Sequence, residues 1–271
     1  DGLRYAERAI ERARAHGWPD LVDATFEAAQ SAVALRQRSI ALPYLDEMEA
    51  IATRTRNPDA LGRCLFAKGA LDQDDPALLL RAREVFARLD DELGMANVDR
   101  VLGRRALVAG SLDEAERRLA PAAEIYERLG HRSTLAQTWI SLADVYRKAG
   151  RLRDADVLLD QLLQLYRTTD LGVLAVIVHL NLGLLRLMRG NALAARRAFD
   201  QAARLGELTH HDGLTAASWG SLLAPLAILE DWAAYQTTLE RASELLERTG
   251  FRDPDLVDTL ERALAAMPRT S

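Results

Sequence analysis

The sequence predicts an all-α protein built as an α-solenoid, a stack of antiparallel helix hairpins, and three observations carry that prediction. Ala, Leu, Arg, Lys and Glu supply 145 of the 271 residues, a level that marks long helices when helical periodicity accompanies it. Val and Ile together supply only 19, too few for a fold dominated by strands. The third observation is a recurrence. Leu102, Gly103, Ala106, Gly110, Ala115 and Leu119 return 40 residues later as Leu142, Ala143, Tyr146, Gly150, Ala155 and Leu159, and again 40 residues on as Leu182, Gly183, Arg186, Gly190, Ala195 and Phe199. Trp219, Leu222, Leu223, Leu226, Leu239 and Ala242 continue the series, and Leu61, Gly62, Leu65, Gly69, Ala82 and Phe86 precede it, five copies in all. A fixed period of this size means a stacked repeat.

Each copy reads as helix, turn, helix. Apolar residues step by three and four, as in Trp139, Leu142, Ala143 and Tyr146, then Ala155, Leu158, Leu159 and Leu162, the spacing of an amphipathic helix. Gly110, Gly150 and Gly190 end the first helices, where a left-handed residue is favoured. Ser111 with Glu114 reads as a capping box opening a second helix, and Asn191 as an N-cap. Asn57-Pro58, Asp75-Pro76 and Asp253-Pro254 each read as an N-cap followed by proline at the first helical position.

Before the regular copies, Leu3 to Ala15 reads as a lone second helix. Trp18 to Gln37 and Ser39 to Thr53 read as a degenerate pair with Pro43 inside the latter. Pro43 and Pro121 each imply a kink or a shifted helix start. Asp255 to Met267 reads as a capping helix, which brings the expected total to about 14. The expected organisation is one solenoid over 1–271: degenerate helices over 1–55, five repeats near 56–95, 96–135, 136–175, 176–215 and 216–250, and a cap over 251–271. A chain beginning in the middle of a hairpin suggests a segment of something longer.

These small and apolar positions resemble the tetratricopeptide repeat in its long-helix form. The match is Leu102-Gly103, Leu142-Ala143 and Leu182-Gly183 at the helix crossing, with Ala115, Ala155 and Ala195 as partners in the second helix. A period of 40 alone also suits HEAT or armadillo repeats, but the small-residue pattern and the lack of a proline bend in the first helices favour the tetratricopeptide class. Kinesin light chain and bacterial multidomain regulators are similar, the latter with segments like Ile125 to Gly130 closing a repeat. The resemblance implies a right-handed superhelix whose first helices line a concave groove where peptides or helices dock. Carried over position by position, the groove receives Arg63 and Phe66, then Arg100 and Arg104, then Ile140, Asp144, Arg147 and Lys148. Ile177, Leu180, Asn181, Leu184 and Met188 follow, and then Gly220, Ala224 and Ile228. The expected groove is basic in its N-terminal half and apolar in its C-terminal half, so the expected partner is a protein or peptide with acidic and apolar character. An Hsp90-type carboxylate clamp is not implied: Asn181 occupies a suitable place, but Val101, Ser141 and Ser221 stand at the equivalent positions.

The chemistry-bearing motifs are few. There is no G-x-x-x-x-G-K-[ST], G-x-S-x-G, H-E-x-x-H or C-x-x-C, so no enzyme activity, cofactor or metal is expected. His210, His211 and Asp212 are adjacent in a loop at a repeat boundary and point apart. Asp72, Asp74 and Asp75 lack the glycine and terminal glutamate of a calcium loop. Trp139 and Trp219 occupy equivalent positions and read as core. Cys64 is the only cysteine, which excludes an intrachain disulfide and fits a cytoplasmic setting. A net charge of −5 argues against general nucleic-acid binding, and no apolar run reaches the ~20 residues of a membrane span. Val173 to Met188 is apolar nearly all round. Such a helix is buried on several sides, lines a groove, or forms a homodimer face. The expected role is a protein-interaction scaffold, the regulatory segment of a bacterial signalling protein such as a kinase or transcription regulator. The alternative is a small-molecule-sensing solenoid of an ATPase-linked transcription regulator.

Overall fold

The computed structural model describes residues 38–72, 75–168 and 172–249. Every regular element among them is a helix, and there are eleven: α1 (Arg38–Thr55), α2 (Pro58–Leu71), α3 (Ala77–Arg88), α4 (Glu92–Val108), α5 (Leu112–Arg128), α6 (Arg132–Lys148), α7 (Leu152–Thr168), α8 (Val173–Met188), α9 (Ala192–Leu208), α10 (Asp212–Ile228) and α11 (Trp232–Thr249). The expectation of about 14 therefore exceeds the described count by three. The helices expected at Leu3 to Ala15, Trp18 to Gln37 and Asp255 to Met267 lie outside the described residues, as does Asp253-Pro254. The chain divides into two compact units, Asp1–Gly130 and His131–Ser271.

Turn chemistry explains where the hairpins bend. Gly110, Gly150 and Gly190 adopt φ of 78°, 74° and 73°, a left-handed geometry that costs a residue with a Cβ about 1 kcal/mol or more. Asn57 caps α2 by accepting the Ala60 N–H, and Asn191 caps α9 by accepting that of Ala194. Two of the expected caps differ. Asp75 accepts the Ala77 N–H, so Pro76 is itself the N-cap of α3 and the helix starts one residue later than read. Ser111 sits at the N-cap of α5 without a side-chain bond to the helix. Glu114, expected to complete the box, is instead drawn to Arg117 and Arg118, and Arg118 is also held by Asp99 on α4. Charge-assisted bonds to two guanidinium groups outcompete a neutral cap.

Prolines do not break these helices. Pro43 lies inside α1, Pro121 inside α5 and Pro225 inside α10, so neither Pro43 nor Pro121 marks a shifted start. Pro225 lies within a first helix, α10, which runs unbroken from Asp212 to Ile228.

In the first unit the core runs through Leu65, Leu79, Ala82, Phe86, Val98 and Leu102 of α2, α3 and α4, with a second cluster joining Leu45 and Met48 of α1 to Cys64 of α2. In the second unit, Ala143, Leu159, Leu162, Val178 and Leu185 bind α6, α7 and α8 together, and Phe199, Trp219, Leu223, Tyr235 and Leu239 bind α9, α10 and α11. The helix crossings need small residues, as expected, but the partner differs. A Cβ on Gly103 would come 2.7 Å from Leu119 Cγ, and one on Gly183 would strike the Phe199 ring. Large apolar side chains of the second helix fill the space that the glycines leave, more than Ala115 or Ala195 does. Trp219 is buried as expected, whereas Trp139 is half-buried at the edge of its cluster.

The layering follows from the same packing. In the first unit α2 and α4 bring Cα atoms within 8 Å of each other while α3 and α5 do not. In the second unit α6 approaches α8, and α8 approaches α10, while α7, α9 and α11 stay further apart from one another. First helices therefore form the tighter, inner layer of each unit, and second helices fan out as the outer layer.

Candidate docking faces

The residues expected to line the groove of the first unit are mostly basic. Arg63 and Phe66 of α2 and Arg100 of α4 are half-buried, and Arg104 is exposed. Arg63 pairs with Asp59 at 2.9 Å, one helical turn away. Arg100 and Arg104 are spaced i, i+4, so like charges sit on neighbouring turns, an arrangement that slightly destabilises a helix. Arg104 has no ion pair among the described residues, and the Nε atoms of Arg63 and Arg100 are buried without a hydrogen-bond partner. Burial pushes the Tyr126 phenol up, and the nearby Arg100 guanidinium partly offsets it. Tyr126, from the Ile125 to Gly130 segment, donates its hydroxyl proton to Asn97 Oδ1 at 2.9 Å. Asn97 was not singled out in the sequence, since only the folded hairpin brings it to Tyr126. Arg105, one residue beyond Arg104, has a different task. It donates to the Gly69 carbonyl at 2.6 Å and to that of Asp72, closing the orphaned carbonyls at the end of α2.

The residues expected to line the groove of the second unit mix charged and apolar side chains. Asp144 accepts from Arg147 and pairs with Lys148 at 3.2 Å. Arg147 also reaches across to α8, where its guanidinium lies 3.9 Å from Met188 Sδ. Its Nε is buried with no partner. Two cations thus share one carboxylate, leaving a surplus positive charge beside an apolar one. Met188 is 51% exposed and Ile228, 40 residues further along, is 63% exposed.

Other expected groove residues are committed elsewhere. Leu180 and Leu184 pack against the α9–α10–α11 cluster, and Ile177 is half-buried. Asn181 spends its amide on the Ile177 carbonyl of its own helix at 3.1 Å. The α8 helix is apolar nearly all round because Val178, Leu182 and Leu185 serve the α6–α7 core while Leu180, Leu184 and Leu187 serve the next one. Among its apolar residues only Met188 is exposed.

The loop residues weighed for metals are structural. His211 caps α10 through Nδ1, which accepts the Leu214 N–H at 3.2 Å, and Asp212 lies 3.9 Å from Arg248. Among the described residues no group of three or more His, Cys, Asp or Glu could hold a metal ion, and no helix is long and apolar enough to cross a membrane.

No family model matches the sequence, and no curated protein matches it. Solved structures do match. A kinesin light chain with nearly identical TPR-like repeats from Podosopora anserina superposes with a TM-score of 0.54 at 18% identity, over 73% of this chain and 96% of its own. A Rap protein complexed with competence and sporulation factor gives 0.66 at 17% identity, over 95% of this chain and 71% of its own. The apo form of RapI gives 0.61 at 10% identity, over 79% and 78%. The fold is a tetratricopeptide-type solenoid. At these identities the likeness concerns the path of the helices, so residue roles in this tetratricopeptide-type chain rest on its own side chains.

Proposed function

We propose that this chain is a protein-interaction scaffold whose inner helix faces dock a peptide or partner protein, and that it serves as the regulatory segment of a larger cytoplasmic bacterial signalling protein. The observation that carries the reading is that the inner layer bears side chains its own packing does not need. Arg104 is exposed without an ion partner among the described residues, and Met188 and Ile228 are exposed apolar residues on successive first helices. Such positions cost stability or solubility unless something covers them. The first unit's face, with Arg63, Arg100 and Arg104, suits an acidic segment. The second unit's residues, with Met188 beside Arg147 and Ile228 exposed on the next first helix, suit an apolar residue flanked by a carboxylate. The helices present these groups in a preformed array, so the scaffold loses little conformational freedom on docking. That a solenoid of the same fold has been crystallised with a bound factor adds support.

The test is fluorescence anisotropy with labelled acidic peptides carrying Leu or Phe. Arg100→Glu with Arg104→Glu, or Met188→Asp, is expected to weaken binding by about tenfold or more, roughly 1.4 kcal/mol, with helicity unchanged. Arg117→Glu on the outer layer is expected to have no effect. If the inner-face and outer-face variants bind alike, the reading fails.

A further inference from the structure

The outer layer of the second unit holds a hollow between α9 and α11. It has a volume of about 490 Å3 and continues into a second of about 470 Å3, the two sharing Glu207, Trp219 and Arg241. Its floor is the side of α10 that carries Trp219, Leu222 and Leu226, and its size is that of a small-molecule site.

The walls carry charges that the fold leaves unused. Arg204 stands on α9 with Asp200 four residues before it and Glu207 three after. The same spacings form ion pairs elsewhere, as between Glu114 and both Arg117 and Arg118, and between Asp144 and both Arg147 and Lys148. Around the hollow they do not: among the described residues no ion pair engages Asp200, Arg204 or Glu207. On the opposite wall Arg241 has no carboxylate partner either, and its guanidinium lies 5.4 Å over the Trp219 ring. At the two ends the surface does pair its charges, Arg196 with Asp231 at 2.8 Å and Arg248 with Asp212 at 3.9 Å. Ion pairs close the ends of the cleft, and unpaired groups of both signs line its middle, above an aromatic and aliphatic floor.

We infer that this outer cleft binds a small zwitterion with a bulky apolar body, of the class of a free amino acid with a large apolar side chain. The ligand carboxylate would take the Arg204 and Arg241 guanidinium groups, its ammonium the Asp200 and Glu207 carboxylates, and its side chain the Leu222 and Leu226 floor. A purely anionic ligand would face Asp200 and Glu207 uncompensated, and a purely cationic one would face the two arginines. This inference concerns a different face from the docking surfaces above and does not depend on them.

Titration calorimetry of the full chain with L-phenylalanine and L-leucine tests it, with phenylpropionate and phenethylamine as the half-ligands that lack one charge. Saturable binding of the amino acids is expected, weakened about tenfold or more for each half-ligand and by Arg241→Ala or Asp200→Ala. Both substituted side chains lie on the cleft wall, and circular dichroism of each variant checks that the helices remain. Arg104→Ala, on the inner face of the first unit, is expected to leave this binding unchanged. The inference is overturned if neither amino acid binds saturably up to ~10 mM, tenfold above a Kd of about 1 mM. It is equally overturned if a half-ligand binds as well as the zwitterion, or if the cleft variants bind like the parent.

Discussion

At the scale of single residues, the tightest constraint is the close approach of paired helices. Gly183 has a second-helix ring, Phe199, in the space where its Cβ would be. Phe199 is fully buried in the core of the last two hairpins, so the ring cannot move without displacing neighbours. Gly183→Ala would gain up to ~1 kcal/mol in helix propensity, but overpacking of a filled core costs ~1–3 kcal/mol. A net loss of about 1 kcal/mol is expected, read as a lower urea midpoint with an unchanged slope. A midpoint at or above that of the parent would show that the ring yields freely. The recurrence made Gly183 and Phe199 visible in the sequence, since both fall at repeat positions occupied elsewhere by Gly103 and Leu119. That they face each other was not visible, because helix crossing depends on the rotation of each helix and period alone does not set it.

At the scale of an element, α8 shows what pattern can and cannot reveal. Its apolar character all round was plain, and burial on several sides, a groove or a self-association face were all open readings. The structure buries most of this helix, which lies between two core clusters and serves both, and leaves Met188 at its end exposed. His179 tests this placement. It stands 40 residues from both Trp139 and Trp219, at the position where neighbouring hairpins put a large ring against their core clusters. Burial holds its pKa below the usual 6.5. The unfolded chain therefore takes up a proton as pH falls through about 6.5, while the folded chain resists it until lower pH. The stability due to the neutral, half-buried ring is complete above that range and is lost as the solution is acidified. Urea midpoints at about pH 7.5 and pH 5.5 are expected to separate more for the parent than for His179→Gln. Equal acid sensitivity in the two proteins would place His179 in contact with water. The cap of α5 has a similar lesson. Ser111 and Glu114 form a recognisable local motif, but Arg118 and Asp99, brought in by folding, recruit the glutamate elsewhere.

At the scale of the molecule, charge distribution separates general attraction from local recognition. The chain carries a net charge of −5, so at long range it repels an acidic partner, yet α2 and α4 carry Arg63, Arg100 and Arg104, the residues proposed above to meet an acidic segment, with Arg63 paired to Asp59. At physiological ionic strength the screening length is about 8 Å, shorter than the ~10–12 Å diameter of one helix. The distant negative charges are then muted, while contacts made on the arginine face still act. Docking of an acidic peptide on this face is expected to strengthen or hold steady as salt rises from about 10 mM, where the screening length is near 30 Å, to about 100 mM, where it is near 10 Å. It is expected to weaken beyond that, as the local pairs are screened in turn. The arginine side chains decide the second phase, so Arg100→Gln with Arg104→Gln should flatten the loss at high salt. Anisotropy titrations across that range measure both limbs. A monotonic fall from the lowest salt upward, unchanged by the double substitution, would mean that the acidic peptide binds away from these arginines.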